Sequence, residues 1–290
     1  MIDFRKLVEA GVHFGHQRSR KCPKMDPYVW GIKNDTLLID VSKTAHCLEK
    51  AATFLEDVAA QGKAILWVGT KKSAQDIVFS AAAGLKMPYV SHRWIGGTLS
   101  NFGQVKKSIT KMLHLEDVVT KSELHPHYTK KEINLFQKKI ARLQKNVGGI
   151  RGLSWPIGAL VLVDVTKERS ALKEAVAMGV PVVALVDTNS DPSLVDYVIP
   201  ANDDAPRSIK LLINYLVEAV VRGKGRAGVE KAAAAQAQEV ERASLREDVL
   251  ALAQEEDTDA EGAGKSKTAR KEEKVKEAVK RSKKDIFDKR

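Results

Sequence analysis

Three clusters in the 290-residue sequence have residue types able to do chemistry. Gly69-Thr70-Lys71-Lys72-Ser73 follows an apolar run and precedes a helical one, where a phosphate loop would stand. A phosphate loop needs a glycine six residues before the lysine that precedes its Ser or Thr, which is Lys72 in the first cluster. Leu66 occupies that place, and the later Gly264-Lys265-Ser266 has Asp259 where its first glycine belongs. Neither segment is therefore expected to hold a nucleotide, although a helix start bearing Lys71 and Lys72 still attracts phosphate in a nucleic-acid backbone.

The second cluster is Gly11-Val12-His13-Phe14-Gly15-His16, followed by a basic stretch with Arg18, Arg20, Lys21 and Lys24. Two histidines at i and i+3 could ligate a metal, but no local carboxylate completes a set of three or four. Asp187, Asp203 and Asp204 could reach His13 and His16 only from distant segments. The expected role of the histidines is packing and hydrogen bonding, with no bound metal, and the four basic residues are expected to meet phosphates. The third cluster, Ser91-His92-Arg93-Trp94-Ile95-Gly96-Gly97-Thr98, combines side chains that stack on bases or pair with phosphate and glycines that permit a sharp turn. Arg93 is expected to act in binding, and Trp94 in packing.

Acid-rich turns at Asp187-Thr188-Asn189-Ser190-Asp191-Pro192 and Asn202-Asp203-Asp204 could in principle serve acid–base or magnesium chemistry. Asp and Asn also close turns and cap helices, as Asp203 or Asp204 would for a helix beginning near Ala205. No nucleophile–base pair stands at a recognisable spacing. No catalytic residue, cofactor or small-molecule substrate is expected.

These clusters are positioned by an alternation of short apolar runs with helical stretches between Leu37 and Val221. The runs are Leu37–Asp40, Ala64–Gly69, Pro88–His92, Ala159–Asp164 and Pro181–Asp187. Near-continuous aliphatic runs suit strands covered on both faces, so the expected fold is α/β with a parallel sheet and helices on both sides. Asp40 or Ser42 should cap a helix ending near Gly62, and Thr166 one stopping at Gly179. A last helix should run from about Ala205 to Val221, with Pro206 in its first turn.

About sixty residues between the third and fourth runs break this rhythm. Phe102, Val105, Ile109 and Met112 recur at helical steps, as do Ile133, Phe136, Ile140, Leu143 and Val147 on the return. Thr129 and Glu132 read as a capping box, and His125-Pro126-His127 as the turn. The spacing predicts an inserted antiparallel coiled-coil hairpin projecting from the domain. Ten Lys/Arg against four Asp/Glu between Gln104 and Asn146 make its outer faces basic. The expected organisation is a basic N-terminal segment over 1–36, an α/β domain over 37–98 and 150–222, a hairpin over 99–149, and a charged, mobile tail over 223–290.

Lys and Arg number 48 against 37 Asp and Glu, a net charge of +11 that favours a polyanionic partner. Cys22 and Cys47 form no CxxC or Cys/His zinc pattern, and no segment reads as a signal peptide or membrane span, so a cytoplasmic protein is expected.

Read in order, five blocks carry a family resemblance: LVEAGVHFGHQRSRKCPKM, YVWGIKNDTLLIDVSKT, ILWVGTKKSAQD, HRWIGGTLSNF and VPVVALVDTNSDPSLVDYVIPANDDAPRSI. From about Leu7 to Val221 the sequence resembles the bacterial small-subunit ribosomal protein S-two family. The resemblance implies a flavodoxin-like five-stranded parallel sheet of order 2-1-3-4-5 and a protruding hairpin. It also implies a structural, non-enzymatic role on small-subunit ribosomal RNA beside other small-subunit proteins, and help in recruiting ribosomal protein S-one. Carried over by position, the RNA-facing candidates are Arg18, Arg20, Lys21, Lys24, Lys71, Lys72, His92, Arg93 and, more weakly matched, Arg207. The competing class is an α/β enzyme holding a nucleotide or phosphorylated metabolite at the sheet edge, with the hairpin as a lid.

Overall fold

The computed structural model describes residues 2–121 and 128–228. The expected hairpin turn at His125-Pro126-His127 and nearly all of the charged tail lie outside the described residues.

The chain begins with helix α1 (Phe4–Glu9), capped by the Asp3 carboxylate, which accepts from the Arg5 N–H. Strands β1 (Phe14–Gln17), β2 (Val29–Lys33) and β3 (Thr36–Ile39) form a small antiparallel sheet of order β1-β3-β2. Helix α2 (Val41–Ala60) follows at once, its first turn capped by Asp40 as expected. The main sheet contains β4 (Ala64–Val68), β5 (Tyr89–Val90), β6 (Ile157–Val163), β7 (Val182–Val186) and β8 (Tyr197–Pro200). All neighbours are parallel, in the order β5-β4-β6-β7-β8. Counted along the chain within this sheet, that order is 2-1-3-4-5, the flavodoxin-like arrangement.

One strand assignment changes. Leu37–Asp40 does not enter the parallel sheet; its place is taken by Tyr197–Pro200. The reason is visible in burial: Leu37 and Ile39 are buried while Thr36 and Leu38 are half-buried, the alternation of a sheet covered on one side. All seven residues of β6 and all five of β7 are buried, as two-sided coverage requires.

Side-chain alternation divides the core in two. Ile65, Trp67, Val161, Val163, Val183, Leu185 and Ile199 face α2, α3 (Lys72–Leu85) and a final helix, α7, over residues 206–228. Leu66, Val68, Leu160, Leu162, Ala184 and Val186 face α4 (Phe102–Thr120) and α6 (Arg169–Ala177). Between α7 and α2 the backbones approach closely at Gly223, where an added Cβ would stand 2.2 Å from the Glu56 carbonyl oxygen.

Helix α6 ends at Gly179, whose φ of +66° is the left-handed conformation expected there. It begins at Arg169, however, and Thr166 is not its cap. The Asp164 carboxylate instead accepts from the Lys167 N–H within a turn, and Thr166 shares a hydrogen bond with Ser190. Pro206 opens α7, but the turn before it is held by Asn202, whose side-chain oxygen accepts from Asp204 and Ala205. Asp203 and Asp204 turn their carboxylates elsewhere.

In the insertion, α4 and α5 (Lys130–Val147) lie against one another, and the Thr129–Glu132 capping box is formed. The insertion does not simply project. Val105, Ile109 and Met112 are buried in the core with Val90, Ile150 and Leu153, whereas α5 joins it through Leu143 and Val147. A stripe at helical spacing records that a helix has an apolar face, not which element covers it.

Candidate nucleic-acid interface

The expected RNA-facing residues fall into two physical groups. Arg18, Arg20, Lys72, His92, Arg93 and Arg207 are exposed. Arg18 and Arg20 occupy a single 3-10 turn directly after β1, and Lys72 is the first residue of α3. The others are engaged by acids. Lys24 meets Asp191 at 2.8 Å, holding that carboxyl down at about 2, and Lys21 contacts Asp26. These two pairs are open to solvent, so phosphate can compete for the lysines at little cost.

Lys71 differs. Only a fifth of its side chain is exposed, and its ammonium lies 2.7 Å from Asp203, 2.6 Å from Asp204 and 3.5 Å from Asp164. Burial alone would lower its pKa; hydrogen bonds to Asp203 and Asp204, with the nearby Asp164 charge, outweigh that and raise it. A lysine expected at the sugar–phosphate backbone is thus held by three carboxylates at the end of the sheet. Its neighbour Lys72 carries the free charge at this helix start.

His92 and Arg93 stand on the segment between β5 and α4, and a residue missed at the level of sequence shapes it. The Glu174 carboxylate of α6 accepts from the Gly97 N–H at 2.8 Å, Leu99 N–H at 3.1 Å, Ser100 N–H at 3.3 Å and the Trp94 indole at 3.2 Å. Burial works against the ionised form, but these donors prevail and the pKa is lowered. Gly97 has φ +91°, which explains the glycine. Trp94 is 8% exposed, in keeping with a packing role, while Arg93 beside it points outward.

The carboxyl ends of β4, β6, β7 and β8 converge on a polar cluster. His16 reaches it from β1: its Nδ1 lies 3.0 Å from Asp187 and its Nε2 3.2 Å from Asp204. The hydrogen bond to Asp187 raises the imidazole pKa, against the effect of burial. Asp187 also accepts from the Thr188 N–H and hydroxyl. Burial, with Asp164 and Asp187 close by, lifts the Asp203 carboxyl to about 7 despite Lys71. Nearby, Glu168 is 2% exposed and takes the Thr70 N–H and hydroxyl, and burial raises its pKa.

Of the five metal candidates, the fold brings His16, Asp187 and Asp204 within mutual reach of one ion and sets Asp203 beside them. His13 is not part of this group. Its ring leans on Phe14 at 4.0 Å between centroids, and burial lowers its pKa.

Backbone contacts lock the N-terminal segment over this edge. The His16 N–H donates to the Thr188 hydroxyl at 2.9 Å, Cys22 N–H to the Thr188 carbonyl at 2.8 Å, and Asn202 N–H to the Val12 carbonyl at 3.1 Å. Gly15 permits the approach, since a Cβ there would be 2.6 Å from Thr188 Cγ2. The Asp and Asn turns were legible as turns; their shared destination depends on strand order, which no local pattern carries.

Comparison with known proteins agrees with the fold. The sequence model described as Ribosomal protein S2 matches residues 7–223. A relative named "Small ribosomal subunit protein uS2", from Geotalea uraniireducens, is 45% identical over 222 residues, covering 77% of this chain and 86% of that protein. Another of the same name, from a Nitratiruptor species, is 40% identical over 266 residues, covering 90% of this chain and 99% of that protein. Spanning both sheets, the insertion and most of α7, the match shows that this chain belongs to the ribosomal protein S2 family.

Proposed function

We propose that this ribosomal protein is a structural constituent of the small subunit that binds ribosomal RNA through phosphate contacts and performs no catalysis. The observation that carries the reading is the exposure of Arg18, Arg20, Lys72, His92, Arg93 and Arg207 on turns, loops and helix starts, in a chain of net charge +11. Charges of this kind position a protein on folded RNA without reading its sequence. Lys21 and Lys24 join them when phosphate displaces Asp26 and Asp191. Neighbouring small-subunit proteins complete its surroundings, and its place is the cytoplasmic ribosome; no described helix is long and apolar enough to cross a membrane.

Recruitment of ribosomal protein S-one belongs to the same reading. Its support is apolar surface on the small N-terminal sheet, where Trp30 is 74% exposed and Phe14 and Ile32 are each 49% exposed. Side chains of this size on a basic protein suit a protein partner better than a phosphate backbone.

The test is sedimentation of the full chain with small subunits across a salt series. Association should weaken steeply with salt, since each phosphate contact contributes on the order of one unit to the log–log slope. Failure to co-sediment at any salt would overturn the proposal. Stoichiometric micromolar binding of a nucleotide in calorimetry would favour the α/β enzyme instead.

A further inference from the structure

We propose that the free edge of β8 is a docking groove for an extended, acidic peptide segment of a neighbouring protein, which adds to the five-stranded parallel sheet as a further strand. The inference rests on the structural role proposed above, which surrounds the chain with other small-subunit proteins.

The two edges of the sheet differ. At β5 the chain itself closes the edge, since an added Cβ at Gly149 would stand 2.2 Å from the Tyr89 carbonyl oxygen. At β8 the ladder to β7 decides which backbone groups are left over. The Ala201 N–H donates to the Val186 carbonyl, and the register runs from Val183 beside Tyr197 to Val186 beside Pro200. In a parallel pair alternate residues turn their N–H and carbonyl to the partner strand. Tyr197, Ile199 and Ala201 therefore face β7, while Val198 and Pro200 face outward. Pro200 has no N–H to offer, and the Thr44 hydroxyl donates to its carbonyl at 2.6 Å. The outward N–H and carbonyl of Val198 have no hydrogen-bond partner among the described residues. Unpaired groups on a sheet edge are a template for another strand.

These groups open onto a groove. Two compartments of about 460 and 620 Å³ lie along α2 and β8 and share Lys50 and Tyr197. Val198 lines the larger one together with Tyr28 and Cys47. Lys50 is exposed and makes no ion pair among the described residues, whereas the acids along the groove are engaged. Asp57 meets Arg226 at 3.3 Å, Asp196 accepts from the Val182 N–H at 2.8 Å, and Glu49 also has a partner. The charge left to answer is that of Lys50, and an acidic side chain on the added strand answers it. A nucleobase suits the groove less well. The Phe54 and Tyr197 rings already stack on each other, with 4.3 Å between centroids and 16° between planes, and a phosphate at Lys50 would stand among Glu49 and Asp57.

Photo-crosslinking in assembled small subunits tests this. One full-length chain has p-benzoylphenylalanine in place of Thr53 and another has it in place of Ser193, both exposed positions on the groove. Purified particles are irradiated, digested and read by mass spectrometry. The expected product from both is a peptide of another protein that contains Asp or Glu. Val198→Pro removes only the outward N–H and keeps the ladder to β7, so it should lower the yield about fivefold, as the loss of one hydrogen bond would, and leave the Tm close to native. Lys50→Glu, on the exposed part of α2, should lower the yield about threefold without touching the strand, and decides the matter if Val198→Pro disturbs folding. Products with RNA or with a second copy of this chain, no product in particles that contain the chain, or yields unmoved by both variants would overturn the proposal. A chain that never enters the particles would overturn the structural role itself, and this docking site with it.

Discussion

Replacing Glu174 by Gln tests whether one carboxylate organises the segment between β5 and α4 that carries His92 and Arg93. In the native protein its two oxygens accept from three backbone N–H groups and the Trp94 indole. Glutamine keeps one oxygen, so its amide nitrogen must face two of those donors whichever way it turns. Each stranded donor costs about 1–1.5 kcal/mol where water can partly reach it, or roughly 2–3 kcal/mol in all. For a described domain of this size that corresponds to a fall of about 5–10 °C in Tm. Urea denaturation of wild type and variant at pH 7 reads the difference directly. The pH dependence has a fixed sign. The native carboxyl titrates below its usual value of 4.5, so its stabilisation is present above that value and is lost as pH falls through the native pKa. The gap between the two proteins should therefore close in acid. Affinity for small subunits should fall as well, because His92 and Arg93 would lose their fixed base. A variant within about 0.5 kcal/mol of wild type at pH 7 would refute the reasoning.

Other outcomes follow from other parts of the molecule. Gly223→Ala should destabilise by about 2 kcal/mol or more, because the new Cβ meets the Glu56 carbonyl at 2.2 Å; Gly225→Ala, with open space around it, should be neutral or stabilising by up to about 1 kcal/mol, both read in urea. Glu168 titrates above its ordinary value, so its contribution is present below about 4.5 and is lost as pH rises through the native pKa; Glu168→Gln should flatten that decline in a pH series of denaturation curves. Arg18→Ala with Arg20→Ala should reduce the salt slope of subunit binding by up to about two units and leave the Tm close to native. Excising residues 104–146 should prevent folding, since Val105, Ile109 and Met112 at about 1.5–3 kcal/mol each contribute roughly 5–9 kcal/mol, a sum comparable to whole-domain stability; a cooperative urea transition in the excised protein would contradict this.

The α/β class was legible because β6 and β7 are unbroken aliphatic runs, and the helix ends at Asp40 and Gly179 because capping chemistry is local. Tyr197–Pro200 escaped notice: it is four residues long, closes on a proline and lies among Asp-rich turns. Leu37–Asp40 imitated a buried strand because its polar face is short. The basic turns could be read from charge alone, but the engagement of Lys71 could not. Its three partners come from two turns about forty residues apart, after β6 and after β8, and only the parallel order β4-β6-β7-β8 gathers them. Glu174 was hidden for a related reason, being one acid among the ordinary surface residues of an amphipathic helix.

Open parallel sheets usually keep the crevice beyond their strand tips vacant for a ligand. Here that crevice is plugged by the chain's own N-terminal segment, threaded through Val12, His16 and Cys22 against Thr188 and Asn202. What would be a mouth in an enzyme of this architecture has become a hinge-pin between two sheets. A guest molecule would have to evict a covalently tethered occupant, and the same occupancy gives the cationic turn at Arg18–Arg20 a stiff mounting.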